Sequence, residues 1–239
     1  MPYYRKNIYS GNCLEIEEIF SIRTVRTDKE FPEILQRSSN ENTTTEQQRD
    51  INIKNARKNL ARMIRCNFDS NDFFITLSYR GKEPDYETAK KLFANFSRRL
   101  KYARMKKGLP PLKYIAVLEG KSKRKHHHLI INNGISKDEI KDIWGLGRVT
   151  ISDLEPNDDY EALTKYITKE SYDDELENKK AWTSSKNLKK PVIIRKRVKK
   201  YTNDMKAPKG YIMTMEPQLY ITGSGFPLRY TRCVKIKRE

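Results

Sequence analysis

Three consecutive residues, His126-His127-His128, hold every histidine of the chain. The apolar run Leu129-Ile130-Ile131 follows them, and Glu119-Gly120-Lys121-Ser122-Lys123-Arg124 precedes them. The apolar run is bounded by Asn132-Asn133-Gly134 and predicts a buried strand; the basic segment predicts a turn. Side chains alternate faces along a strand, so His126 and His128 share one face and His127 takes the other. Two imidazoles on one face can hold one divalent ion. Lys113 to Glu119 predicts the strand before the turn, and an antiparallel hairpin brings Glu119 opposite His126. Two nitrogens and a carboxylate suit Mn²⁺, or Mg²⁺ where waters or phosphate oxygens complete an octahedron. The plainer alternatives are basic surface for the histidines and an ion pair of Glu119 with Lys121 or Arg124.

A second cluster is Leu163-Thr164-Lys165-Tyr166-Ile167-Thr168-Lys169-Glu170. Tyr166 is a candidate nucleophile. A phenol attacks poorly at its free pKa of about 10, so it needs help from Lys169 at i+3 and from a nearby ion. Glu170, at i+4, is placed to reach the ion or a water on it. Tyr160, read on the same helix, is a second candidate. The plainer alternative is that Tyr166 packs its ring on the core.

The 239 residues carry 49 Lys+Arg against 31 Asp+Glu, a formal net charge of +18. Such a surplus, interleaved with 14 Tyr, points to a nucleic-acid partner. Lys121, Lys123, Arg124 and the cluster Arg195, Lys196, Arg197, Lys199 and Lys200 are the candidate DNA contacts. Cys13, Cys66 and Cys233 fit neither a disulfide framework nor a zinc ribbon, so the expected setting is a reducing cytoplasm. No apolar run approaches membrane-spanning length. No Gly-x-x-x-x-Gly-Lys-Ser/Thr occurs, so no helicase motif of that kind is read.

The elements that must position these residues follow from pattern. Glu15 to Thr24 predicts a strand. Glu46 to about Arg65 predicts a helix with apolar Ile53, Ala56, Leu60, Met63 and Ile64, and with Lys54, Arg57, Lys58 and Arg62 on its surface. Phe73 to Tyr79 predicts a central strand. Asp85 caps a helix to about Lys106, and Ser136 with Glu139 starts another that ends near Trp144-Gly145. Arg148 to Ile151 predicts a strand, and Asn157 to Asp159 starts the Tyr166 helix. From Trp182 to Pro191 the chain reads as a loop, and the strands from Tyr211 onward have no assigned sheet. The order β-α-β-β-α-β-α predicts an α+β, ferredoxin-like (RRM-like) domain, a central antiparallel sheet with helices mainly on one face. The expected organisation is an N-terminal accessory region (1–64), the central domain (65–175) and a basic C-terminal extension (176–239).

Taken in order, three segments resemble the HUH endonucleases that initiate rolling-circle replication of plasmids and phages. Phe73 to Ser78 is similar to their first strand motif, His126-His127-His128 to their His-hydrophobe-His metal motif, and Tyr166-Ile-Thr-Lys169 to their Tyr-x-x-Lys motif. The chain departs from that pattern in carrying His127 in the middle slot. The resemblance spans about residues 65–175, and the segment from Trp182 to Pro191 also looks like that of a bacterial replication initiator. It implies metal-dependent, site-specific nicking and joining of single-stranded or hairpin origin DNA through a 5′-phosphotyrosine. Host helicase and polymerase would be the partners. A non-catalytic RRM-like nucleic-acid binder, or an HUH relaxase or transposase, would share much of this pattern; the oligomeric state is left open.

Overall fold

The computed structural model describes residues 3–19, 45–120, 124–155, 159–169, 181–198, 204–221 and 227–236. In chain order the elements are β1 (Tyr3–Ser10), β2 (Cys13–Ile19), α1 (Thr45–Asn67), β3 (Phe73–Ser78), α2 (Tyr86–Lys106), β4 (Tyr114–Glu119) and β5 (His126–Ile131). They continue with α3 (Lys137–Trp144), β6 (Val149–Asp153), α4 (Glu161–Ile167), β7 (Thr183–Ser184), β8 (Val192–Val198), β9 (Tyr211–Ile221) and β10 (Pro227–Lys235). The fold is α+β, with two antiparallel five-stranded sheets. The chain divides into two units: 1–65 with 190–239, and 66–189. No described helix is long and apolar enough to cross a membrane.

In the 66–189 unit the strand order is β6-β3-β5-β4-β7. The first four strands loosely fit the split βαβ arrangement, and β7, lying within the predicted loop, adds a short edge beside β4. Strict alternation organises β3: Phe73, Ile75 and Leu77 are buried on one face, while Phe74, Thr76 and Ser78 are half-buried on the other. The first face joins Leu129 and Ile131 of β5, Phe93, Phe96 and Leu100 of α2, and Ile140 and Trp144 of α3 in one apolar core. Both helices begin where their caps dictate. Asp85 accepts from the Thr88 N–H, and Ser136 accepts from the Glu139 N–H, each satisfying an amide that the first helical turn leaves without a partner. Gly145 ends α3 in the left-handed conformation at φ 61°.

The opposite sheet face is also covered. Ile115, Val117 and Ile130 are at most 1% exposed yet lie outside that core. α4 reaches this side, where the Tyr166 ring meets His128 of β5. α4 is also shorter than its predicted span: it starts at Glu161, and Tyr160 is its N-cap rather than a helical residue.

The unit formed by 1–65 and 190–239 is a sheet in the order β8-β1-β2-β10-β9, with α1 tied to it. The terminal regions, read separately from sequence, supply adjacent strands of this one sheet. β1 was not anticipated, and the strand predicted from Glu15 runs instead from Cys13 to Ile19, with residues 20–44 outside the described ones. Arg62 is not on the helix surface as predicted. It is 7% exposed and Arg65 is 8% exposed, because both guanidinium groups donate to the buried Glu15 carboxylate, to which the Tyr230 hydroxyl also donates at 3.1 Å. Burial alone would raise the Glu15 pKa, but hydrogen bonds and charge from Arg62, reinforced by Arg65, hold it below the ordinary carboxylate range.

Candidate functional site

The β4–β5 register places Glu119 opposite His126 and Val117 opposite His128. On the other side of β5, Thr76 is opposite His128 and Ser78 opposite His126. Alternation then separates the histidines as their positions require. His126 and His128 point to one face, with their Nε2 atoms 3.1 Å apart. Glu119 Oε2 lies 3.3 Å from His128 Nε2 and 3.7 Å from His126 Nε2. Glu119 and His128 are buried and His126 is half-buried.

The outer nitrogens of both rings are engaged. His126 Nδ1 is 2.9 Å from the Arg124 carbonyl, which can only accept, so Nδ1 carries the proton and the Nε2 lone pair faces the trio. His128 Nδ1 is 3.3 Å from Thr76 Oγ1. The imidazoles are thus oriented from behind, as metal-binding histidines usually are. Two ring nitrogens and a carboxylate oxygen converge, each able to offer one ligand atom to a cation. Ligands about 2.1 Å from a centre lie about 3.0 Å apart at right angles and about 3.4 Å apart in a tetrahedron. The observed edges of 3.1, 3.3 and 3.7 Å run from near the first value to somewhat beyond the second, so the trio is of a size to hold one divalent cation with further positions left open.

His127 has the opposite environment. It is 2% exposed, stacked on Phe93 at 5.1 Å and 2.7 Å from the Tyr79 hydroxyl. Burial, with the neighbouring His126 and His128, lowers its pKa to about 3. It is a neutral core residue filling the slot that a hydrophobe would take. Burial likewise raises the Tyr79 phenol above its ordinary value.

α4 carries Tyr166 to the trio. Ile167 and Thr164 are buried and anchor the helix, and Thr168 Oγ1 bonds the Thr164 carbonyl at 2.6 Å. The Tyr166 ring lies 5.3 Å from that of His128 and is 60% exposed, so it is open to molecules in solution. Lys169 closes the turn after α4, its N–H donating to the Tyr166 carbonyl, and is exposed. Tyr160 is only 5% exposed.

The predicted residues are therefore only partly gathered. Glu119, His126, His128 and Tyr166 meet on one sheet face. The Arg124 guanidinium turns back onto the Gly81 and Tyr79 carbonyls and holds the segment after β3. Arg195, Lys196 and Arg197 lie on exposed β8 in the other unit. Lys121, Lys123, Glu170, Lys199 and Lys200 lie outside the described residues. Thr76 and Phe74 were missed: Phe74 stacks on His128 at 5.7 Å. The signal was present in the alternation of β3, but its use required knowing that β3 pairs with β5.

Residues 72–171, which include the trio and Tyr166, match the family described as replication-associated protein ORF2/G2P. The match is consistent with a rolling-circle replication initiator. No curated protein and no solved structure matches the chain.

Proposed function

We propose that the chain is a rolling-circle replication initiator whose 66–189 unit is an HUH-type endonuclease, nicking and rejoining one strand of origin DNA. The observation that carries this reading is the juxtaposition of the Glu119–His126–His128 trio with Tyr166, whose ring is 5.3 Å from that of His128. The match of residues 72–171 to a replication-associated family supports it independently.

Glu119, His126 and His128 would hold Mn²⁺ or Mg²⁺, which supplies Lewis-acid polarisation and a template for the scissile phosphate. The Tyr166 phenol gives up its proton and its oxygen attacks phosphorus. The new O–P bond forms as the bond to the 3′ oxygen breaks, and that oxygen leaves as a 3′-hydroxyl after taking a proton. The product is a 5′-phosphotyrosine, and the free 3′ end primes a host polymerase, with unwinding left to a host helicase. Lys169 stabilises the phenolate or the phosphate charge. Attack by the same 3′-hydroxyl on the phosphotyrosine reverses these steps and joins the strand. As the resemblance to the HUH endonucleases implies, the substrate is single-stranded or extruded as a hairpin.

A base-stacking binder of RRM type is the rival from another class. It needs exposed aromatic residues across the central strands, whereas Ile115, Val117 and Ile130 are buried there. The deciding experiment incubates a pool of single-stranded oligonucleotides with the protein in Mn²⁺ and in chelator. A denaturant-resistant protein–DNA adduct formed only with the ion is the expected result. Salt-sensitive binding without an adduct on any strand, the native replicon included, would overturn the proposal.

A further inference from the structure

We infer that the cavity beside Tyr166 receives a nucleobase of the nicked strand, next to the cleaved phosphate; this assignment rests on the nicking reading above. The cavity encloses about 340 Å³ and is walled by Phe74, Tyr160, Leu163 and Tyr166, with Asp153 and Glu155 beside them. That volume sits at the lower end of small-ligand sites.

Three observations identify the occupant. The walls are aromatic and aliphatic, and an aromatic wall stacks any base because every base has a π face. The charged side chains among them, Asp153 and Glu155, are carboxylates, and Asp153 is already paired with Lys137 at 2.9 Å. Carboxylates repel a phosphate and accept hydrogen bonds from the amino edge of a base, so the sugar-phosphate lies outside and the base inside. Two walls are shared with the trio: Phe74 stacks on His128 at 5.7 Å, and the Tyr166 ring lies 5.3 Å from the same imidazole. A base in the cavity is therefore adjacent to the phosphate that Tyr166 attacks. The cavity also gives Tyr160 a role. Among the described residues it is the one non-glycine with positive φ, at 44°, a conformation that bulky L-residues avoid. It is the buried N-cap of α4 and makes no side-chain capping bond. Its ring serves as a wall of the cavity.

The test starts from a single strand selected from a random pool for adduct formation with Mn²⁺. Each nucleotide in turn is replaced by an abasic one, and binding to the full-length protein is measured by fluorescence anisotropy. One position flanking the nick is expected to weaken binding about 10- to 100-fold when its base is removed, the range for loss of one stacked base. Ala162, exposed and lining the same cavity, gives a second handle. Ala162→Trp fills the space, so it is expected to weaken the intact strand by a similar factor and to erase the penalty of the abasic one. A normal wild-type adduct with a flat abasic scan beside the nick overturns the assignment alone. So does an Ala162→Trp loss that multiplies with the abasic loss. Absence of any adduct on the intact strand overturns the nicking reading and this assignment with it.

Discussion

Tyr166→Phe removes one oxygen and keeps the ring that touches His128. The expected outcome is complete loss of the covalent adduct with DNA binding retained, read by denaturing gel and anisotropy together. A persisting adduct would move the nucleophile elsewhere. The hydrogen bond behind His128 allows a subtler test. Thr76 Oγ1 is 3.3 Å from His128 Nδ1, and Thr76→Val keeps the shape while deleting the hydroxyl. Loss of such an orienting partner typically weakens a metal site 10- to 100-fold. Calorimetric titration with Mn²⁺ is expected to show about a tenfold weaker site. An unchanged affinity would mean that strand packing alone fixes the ring.

At the scale of elements, the β4–β5 hairpin depends on Gly120. Its φ is 123°, and a Cβ there would lie 2.4 Å from the Lys125 Cα. Gly120→Ala must therefore open the turn that keeps Glu119 opposite His126, and weaker Mn²⁺ binding is expected even in protein that remains folded by circular dichroism. α1 provides a stability test in the other unit. Glu15→Gln leaves Arg62 and Arg65 buried with a neutral partner, and breaking a buried ion pair costs about 3–5 kcal/mol. The pH dependence follows from the direction of the Glu15 shift. A carboxylate whose pKa is lower folded than unfolded contributes stability above the unfolded value, and loses it as pH falls through the folded value. Wild type is therefore expected to lose urea resistance below about pH 4.5 more steeply than Glu15→Gln, whose curve lacks this contribution. Parallel acid limbs for the two proteins would contradict the ion-pair account.

For the whole molecule, under the proposed function, the +18 formal charge bears on how DNA is held rather than on where it is cut. Each phosphate neutralised on a single strand contributes about −0.7 to the slope of log affinity against log salt. Arg195, Lys196 and Arg197 line β8, which is exposed along most of its length. Arg195 and Arg197 share one face, so replacing these two by Ala is expected to reduce the salt slope by about 1.4, with little effect on the position of the nick. A slope unchanged within error would remove β8 from the DNA contacts. Strand alternation along β8, with Arg197 opposite Tyr4 and Lys196 opposite Arg5 of β1, spreads these charges over both faces of the sheet.

The chain's local patterns were sufficient for much of this. Period-two alternation divided His126 and His128 from His127, and a short basic turn between two apolar runs put Glu119 beside them. Asp85 and Ser136 announced their helices, because a cap acts on amides only two or three residues away. Tyr166 was legible as a candidate from Lys169 and the helical spacing around it, but its closeness to His128 was not. Only the tertiary structure decided the matters that depend on remote pairing. Thr76 and Phe74 matter because β3 lies beside β5. β1 and β2 share one sheet with β8, β9 and β10 because backbone groups of strands far apart in sequence pair edge to edge, and Arg62 is buried because Glu15, 47 positions away, needs a counter-charge. His127 is neutral because Phe93 and Tyr79 enclose it. Register, burial and charge pairing arise from contacts between segments distant in sequence, whereas alternation and capping are written within a few consecutive residues.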